Sequence, residues 1–137
     1  MKASVFIAAS AAVMLLLGFV HLLYTFRGPK FYPRDPALTA KMIAVSPVIS
    51  AETTMWRTWT GFNVSHSLGL ILFGAVYGYL AIRHSPFLFQ SWFLLVTGFL
   101  LLLSLAVVAK VYWFAAPFRG VTVAGILYLV GVVVSRL

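Results

Sequence analysis

Two histidines and one asparagine are the residues of this chain whose types and spacing could do chemistry. Asn63 and His66 share one helical face, within a run of residues 58–82 that contains no formally charged side chain. His21 lies in a second uncharged run, residues 3–26. Lipid cannot satisfy polar groups at such depth, and ionisable residues within a membrane often have a function. These three side chains therefore predict a polar pocket enclosed by helices.

The other predicted helices and their ends offer further polar side chains to the same pocket. We predict one interhelical seam, defined by His21, Asn63, His66, Thr97, Ser104 and Tyr128. Interhelical hydrogen bonds, worth about 0.6–2 kcal/mol each, are the simpler interpretation of its hydroxyl groups, whereas both interpretations stay open for its histidines. Charged side chains would lie near the cytoplasmic mouth, and Trp59 would line the pocket. The predicted ligand-binding residues are therefore His21, Glu52, Trp59, Asn63, His66, Lys110 and Arg119.

Cofactors and reactions can be weighed against these residues. Haem needs two imidazoles on opposite faces of one iron, but the predicted depths of His21 and His66 differ by about 5–9 Å at 1.5 Å per residue. Zinc would find two histidines and one distant glutamate, which is not a closed ligand set, so we predict no metal site. General acid–base work by His66, oriented by Asn63, stays open. No nucleophile–base set accompanies it, so the catalytic residues and the cofactor are unknown, and haem is one candidate.

Composition indicates a membrane protein. The 137 residues are 63% apolar and 9% charged, whereas about 25% of a soluble domain is charged. There is no cysteine, which excludes disulfides and thiolate metal sites. The net charge of +8 comes from ten Lys/Arg against two Asp/Glu, and the basic residues lie mostly at the ends of apolar runs. That placement predicts contact with membrane lipid headgroups and disfavours nucleic acid as a partner.

Four apolar runs predict an all-α fold, an integral membrane four-helix up-down bundle within one transmembrane domain, residues 1–137. About 20 apolar residues span a bilayer, and the predicted helices are residues 3–26, 51–82, 86–111 and 117–136. The first run is longer than the apolar part of a signal peptide, and no convincing small-residue cleavage site follows it. A proline-rich connection, residues 27–50, joins the first two helices. Within it, Asp35 and Pro36 predict the start of a short helix over residues 37–45.

Local signals predict one helix start and two packing faces. Ser50 would cap the second helix, with Glu52 in its first turn, where the helix dipole favours an anion. Gly74 and Gly78 form a GxxxG spacing that permits close approach of helices and leaves a homo-oligomer open. Small residues predict a packing face on the fourth helix, formed by Gly120, Ala124, Tyr128, Gly131 and Ser135.

The distribution of basic residues predicts the orientation in the membrane. One side of the predicted bundle carries three of them, Lys2, Arg83 and Arg136. The other side carries seven, namely Arg27, Lys30, Arg34, Lys41, Arg57, Lys110 and Arg119. Since cytoplasmic loops are enriched in Lys and Arg, we predict a cytoplasmic connection between the first two helices and termini outside the cytosol.

Three segments carry a resemblance to a known group: GFVHLLYTF, MWRTWTGFNVSHSLGLILFG and FRGVTVAGILYLVG. They resemble small, uncharacterised four-helix bacterial membrane proteins of the DoxX-like group, over most of the chain. In that group a histidine late in the first helix, a glycine–asparagine segment in the second and a glycine early in the fourth recur. Here these would be His21, Gly61 with Asn63, and Gly120. The resemblance implies a four-helix bundle in the bacterial inner membrane, from which the connection over residues 28–49 departs, and it brings no established reaction.

The leading functional hypothesis is binding of a lipophilic or amphipathic small molecule, quinone-like or lipid-like, in a polar pocket inside the bundle. Apolar walls with a few convergent polar groups suit such a ligand. One alternative is a membrane enzyme, or a redox or haem subunit, that uses His66 and His21. The other is a structural or assembly partner of another membrane protein, which would dock through small-residue faces.

Overall fold

The computed structural model describes residues 2–137, and in this part of the chain it is all-helical without strands. The six helices there are α1 Lys2–Phe26, α2 Pro36–Ala44, α3 Met55–Arg83, α4 Ser85–Gln90, α5 Trp92–Tyr112 and α6 Ala115–Val134. Four of these described helices, α1, α3, α5 and α6, are long and apolar enough to cross a membrane. This is consistent with an integral membrane protein, and the up-down bundle stays a prediction.

The prediction of a single third helix over residues 86–111 is wrong, because Ser91 divides it into α4 and α5. The Ser91 hydroxyl accepts a hydrogen bond from the backbone N–H of Leu94 at 3.3 Å, which caps the start of α5. The backbone N–H of Ser91 bonds to the carbonyl of Phe87 at 3.2 Å, which closes α4. Ser91 therefore satisfies backbone groups at the end of α4 and at the start of α5, which stabilises the break.

The predicted start of the second helix at residue 51 is also wrong, because α3 begins at Met55. Its cap is Thr54, whose hydroxyl accepts from the backbone N–H of Arg57 at 3.3 Å. Ser50 instead accepts from the backbone N–H of Glu52 at 3.2 Å and stabilises a turn. Glu52 therefore lies before the helix and not in its first turn.

The predicted fourth helix, residues 117–136, is shifted, because α6 spans Ala115–Val134. Pro117 lies inside the first turn, where its missing N–H would have had no helical partner. The short helix in the connection is confirmed as α2, since Asp35 Oδ1 accepts from the backbone N–H of Ala37 at 2.8 Å. None of the α2 residues is buried.

The chain divides into two compact units, which we describe separately. The first comprises the residues up to Leu17 together with Leu70–Leu137, and the second comprises Gly18–Gly69. The single transmembrane domain over residues 1–137 stays a prediction.

Glycines permit close helix packing in the first unit. A Cβ on Gly74 would lie 2.5 Å from Leu15 Cγ and 2.7 Å from the carbonyl oxygen of Ala11, so α1 and α3 approach closely there. A Cβ on Gly131 would lie 2.8 Å from Ile7 Cδ1, which brings α6 against α1. Both glycine faces that the sequence predicts therefore pack within this unit.

Two tyrosines donate hydrogen bonds to α5 within the first unit. Tyr128 is fully buried, and its hydroxyl donates to the carbonyl of Leu95 at 3.0 Å. Tyr77 donates to the carbonyl of Leu94 at 2.6 Å. The predicted contribution of Thr97 and Ser104 to an inward-facing seam is wrong, because both are exposed. They lie on the face of α5 that points away from its buried residues, which are Leu95, Gly98, Leu102 and Ala109.

Candidate functional site

The second unit contains the three side chains that the sequence singles out for chemistry. His21 lies near the end of α1, and Asn63 and His66 lie on one face of α3. The Thr25 hydroxyl donates to the carbonyl of His21 at 2.9 Å and stays within its own helix. The structure brings the three side chains together, and we call them the His–Asn–His cluster.

Asn63 is the centre of this cluster and is only 6% exposed. Its Oδ1 lies 2.9 Å from His21 Nε2, and its Nδ2 donates to the carbonyl of Trp59 at 2.8 Å. Because the amide nitrogen is directed at a carbonyl, Oδ1 is the atom left to accept. The His21 Nε2 atom therefore carries a hydrogen and donates a hydrogen bond to Asn63 Oδ1. This assignment leaves the imidazole of His21 in one defined orientation.

His66 completes the cluster from one turn further along α3. The ring centroids of His21 and His66 are 5.0 Å apart, with an edge-to-face angle of 67° between the planes. Both histidines are half-buried. Throughout residues 2–137, every fully buried side-chain nitrogen or oxygen atom has a hydrogen-bond partner. The buried amide of Asn63 is thus hydrogen-bonded, while the two imidazoles beside it remain partly accessible.

The connection after α1 folds over the cluster. Gly28 adopts φ 80°, a left-handed conformation that favours glycine, and the backbone N–H of Tyr32 bonds to the carbonyl of Pro29 at 3.1 Å. This turn places the Phe31 ring 4.6 Å from the His21 ring, measured between centroids. Trp59 Nε1 donates to the carbonyl of Phe31 at 3.1 Å and fixes the connection to α3.

An open groove lies where the connection meets α3. Its volume is about 410 Å³, and its lining residues are Lys30, Phe31, Tyr32, Pro33, Met42 and Trp59. Phe31 and Trp59 line the groove and also contact the cluster. The Phe31 ring packs on His21, and the backbone carbonyl of Trp59 accepts a hydrogen bond from Asn63. A second groove of about 310 Å³ adjoins Tyr32 and is lined by Thr25, Phe26, Gly28, Pro29 and Tyr32. The walls of the first groove are mainly apolar, and Lys30 supplies one positive charge there.

The remaining predicted site residues, Glu52, Lys110 and Arg119, are all exposed. Glu52 is exposed in the link that precedes α3. Lys110 and Arg119 belong to the first unit, where both are exposed, and Lys110 Nζ lies 5.2 Å from the ring centroid of Phe118. Their contribution to a pocket mouth stays a prediction.

The sequence did not identify the groove residues of the connection as part of the site. From the sequence, Phe31, Tyr32 and Met42 were interpreted only as apolar side chains that need to be buried. Lys30 was interpreted only as a basic residue that indicates membrane topology. A usable signal was present in Gly28 and Pro29, since this pair predicts a turn that redirects the next residues towards the helix ends.

The arrangement can be tested against haem and metal ions. Two imidazoles on opposite faces of one iron, with metal–nitrogen bonds of about 2 Å, would place ring centroids about 6 Å apart. The observed 5.0 Å separation and edge contact do not fit that geometry, and His21 Nε2 is directed at Asn63. Among residues 2–137, no three His, Cys, Asp or Glu side chains cluster in a way that could hold a metal ion.

Comparison of this chain with family models, with curated proteins and with solved structures gives no match. The DoxX-like resemblance therefore stays a prediction.

Proposed function

We propose that this chain is an integral membrane protein that binds a small lipophilic or amphipathic molecule, quinone-like or lipid-like, over the His–Asn–His cluster. The observation that carries the proposal is the adjacency of that cluster to an open groove, through Phe31 and Trp59. The proposal assigns binding and no reaction. The membrane that we propose is the bacterial inner membrane, with the connection in the cytoplasm.

The groove supports an amphipathic ligand for a physical reason. Small-molecule sites combine apolar and aromatic walls with a few polar groups that fix orientation. Here the aromatic walls are Phe31, Tyr32 and Trp59, and Lys30 is the charged group of the lining. The half-buried imidazoles of His21 and His66 lie beside the groove, where the Phe31 ring packs on His21. The groove lies where α1 ends and α3 begins. The apolar tail of a ligand bound there can extend out of the groove towards the lipid. Quinones and lipids share this combination of a polar head and an apolar tail.

The test is the ligand that accompanies the purified protein. Wild-type protein, Asn63→Ala and His66→Ala would be purified in the same detergent, and bound molecules would be identified by native mass spectrometry after extraction. We expect the wild type to retain a quinone or lipid and both variants to lose it. Asn63→Ala also leaves His21 Nε2 without its acceptor, which should destabilise the protein by about 1–3 kcal/mol.

Ser65→Ala is the matched control, because Ser65 is exposed on the same helix and its hydroxyl bonds only to the carbonyl of Phe62 in its own helix. It should keep both ligand and stability. If Asn63→Ala and His66→Ala have lower melting temperatures than the wild type and the wild type carries no ligand, the cluster serves only interhelical packing. The alternative of a structural partner would then be preferred.

A further inference from the structure

The loop between α2 and α3 exposes two aliphatic side chains almost completely. Val48 and Ile49 are 109% and 93% exposed. The loop is nevertheless ordered, because the backbone N–H of Met55 bonds to the carbonyl of Val45 at 2.8 Å and closes it at the start of α3. At its tip the backbone N–H of Ser50 bonds to the carbonyl of Pro47 at 3.2 Å. The two aliphatic side chains are therefore held outward by a hydrogen-bonded turn.

The exposed apolar surface extends beyond this pair. Ile43 and Val45, which precede the loop, are 54% and 53% exposed, and α2 buries none of its residues. Single apolar side chains on a surface need no explanation, whereas a contiguous group marks a contact with a membrane or a protein.

The depth of the loop favours the membrane as that contact. α3 has 29 residues and is therefore about 43 Å long, against a hydrocarbon core of about 30 Å. If both helix ends share the excess, Met55 lies about 6 Å outside the hydrocarbon, within the headgroup layer. Three extended residues span about 10 Å, so the tip at Val48 and Ile49 can return to the acyl boundary.

Charge favours the same partner. The second unit carries five basic side chains, all of them exposed, against two acidic ones, Asp35 and Glu52. The basic side chains are Arg27, Lys30, Arg34, Lys41 and Arg57. Anionic lipid headgroups attract basic residues beside a membrane helix. Apolar side chains flanked by basic ones are the pattern of segments that lie in the interface.

We propose that the loop of residues 46–54 is a membrane anchor, whose tip residues Val48 and Ile49 insert at the headgroup–acyl boundary of the bilayer that the long helices cross. The exposed basic side chains of this unit contact anionic headgroups around it. The anchor holds the connection against the bilayer beside the groove. It is independent of any ligand in the groove, since no residue of the loop lines that groove.

The chain contains no cysteine, so single cysteines can report depth. Val48→Cys, Ile49→Cys and the control Ala51→Cys would each carry an environment-sensitive fluorophore, with the full chain in nanodiscs of phosphatidylcholine and phosphatidylglycerol. Ala51 is exposed in the same loop but lies past the tip. We expect blue-shifted emission at positions 48 and 49, quenching there by nitroxide-labelled acyl chains, and quenching by aqueous iodide at position 51.

Two results would overturn the anchor. Iodide quenching at positions 48 and 49 equal to that at position 51 would place the tip in water. Protection of both labels from iodide and from nitroxide lipid would mean that protein covers the tip, either a second copy or another partner. Because all three positions are exposed, the variants should keep the circular dichroism spectrum of the wild type.

Discussion

Asn63 shows at the residue scale which part of the site a sequence can predict. The i, i+3 spacing of Asn63 and His66 in an uncharged run indicated that they share a helical face. His21 was identified because it is an ionisable residue within another uncharged, apolar run. The bond from Trp59 to Phe31 joins residues far apart in sequence and depends on the path of the connection. Helical periodicity gives no information on the path of a loop. The sequence therefore predicted the cluster and Trp59 as a lining residue, but not the groove residues of the connection.

The Trp59 indole tests whether the connection must be fixed over the cluster. Trp59→Phe keeps an aromatic ring in the groove wall but removes the N–H that bonds to the Phe31 carbonyl. A neutral hydrogen bond contributes about 0.5–1.5 kcal/mol, so affinity for a short-chain benzoquinone should fall by up to about tenfold. Isothermal titration calorimetry in detergent would measure the loss.

Trp56→Phe is the control for that variant, because the Trp56 ring packs on Tyr32 with centroids 4.5 Å apart, a contact that phenylalanine can retain. Its affinity should equal that of the wild type. Equal affinities for wild type, Trp59→Phe and Trp56→Phe would mean that the Phe31 bond has no part in binding.

Helix ends were the least predictable features at the element scale. The extent of α1 was predicted correctly from its apolar run. The helix spans Lys2–Phe26, and the prediction was residues 3–26. For α3, Ser50 and Thr54 are both good caps, and only the Val45–Met55 bond, which the sequence does not reveal, favours the later start. The break between α4 and α5 coincides with two polar residues, Gln90 and Ser91, which interrupt the apolar run. Two polar residues are also tolerated within one helix, so hydropathy alone did not predict the break.

Gly74 gives a test of helix approach at this scale. Gly74→Ala would force a methyl group against Leu15 and the Ala11 carbonyl, and overpacking of this kind destabilises proteins by about 1–3 kcal/mol. Gly69→Ala lies on the same helix with nothing within 4 Å of the added carbon. It should be neutral or stabilising by up to about 1 kcal/mol, because alanine is the better helix former.

Thermal unfolding in one detergent would compare the two variants with the wild type. A lower melting temperature for Gly74→Ala alone is expected. Equal melting temperatures for both variants would contradict the close contact of α1 and α3 in the first unit.

The charge distribution makes a prediction at the scale of the whole molecule. Four helices able to span the bilayer were expected from composition and length, and they are present among the described residues. The seven basic residues against three predict that the connection between the first two long helices is cytoplasmic. Arg34→Cys, in the connection, should react with a membrane-impermeant maleimide only after cells are lysed, whereas Arg83→Cys should react on intact cells. The opposite labelling pattern would show that the connection faces outward.

The most direct test of the central claim uses the three histidines of the chain. His21 and His66 belong to the cluster, whereas His84 is exposed at the end of α3 and contacts Tyr79. With histidine-selective nitrogen-15 labelling, a short-chain benzoquinone and a short-chain phosphatidylglycerol would be titrated separately while the imidazole resonances are recorded. The account predicts saturable shifts of His21 and His66 with at least one probe, and an unmoved His84. Three unmoved histidines with both probes, or equal shifts at all three, would contradict it.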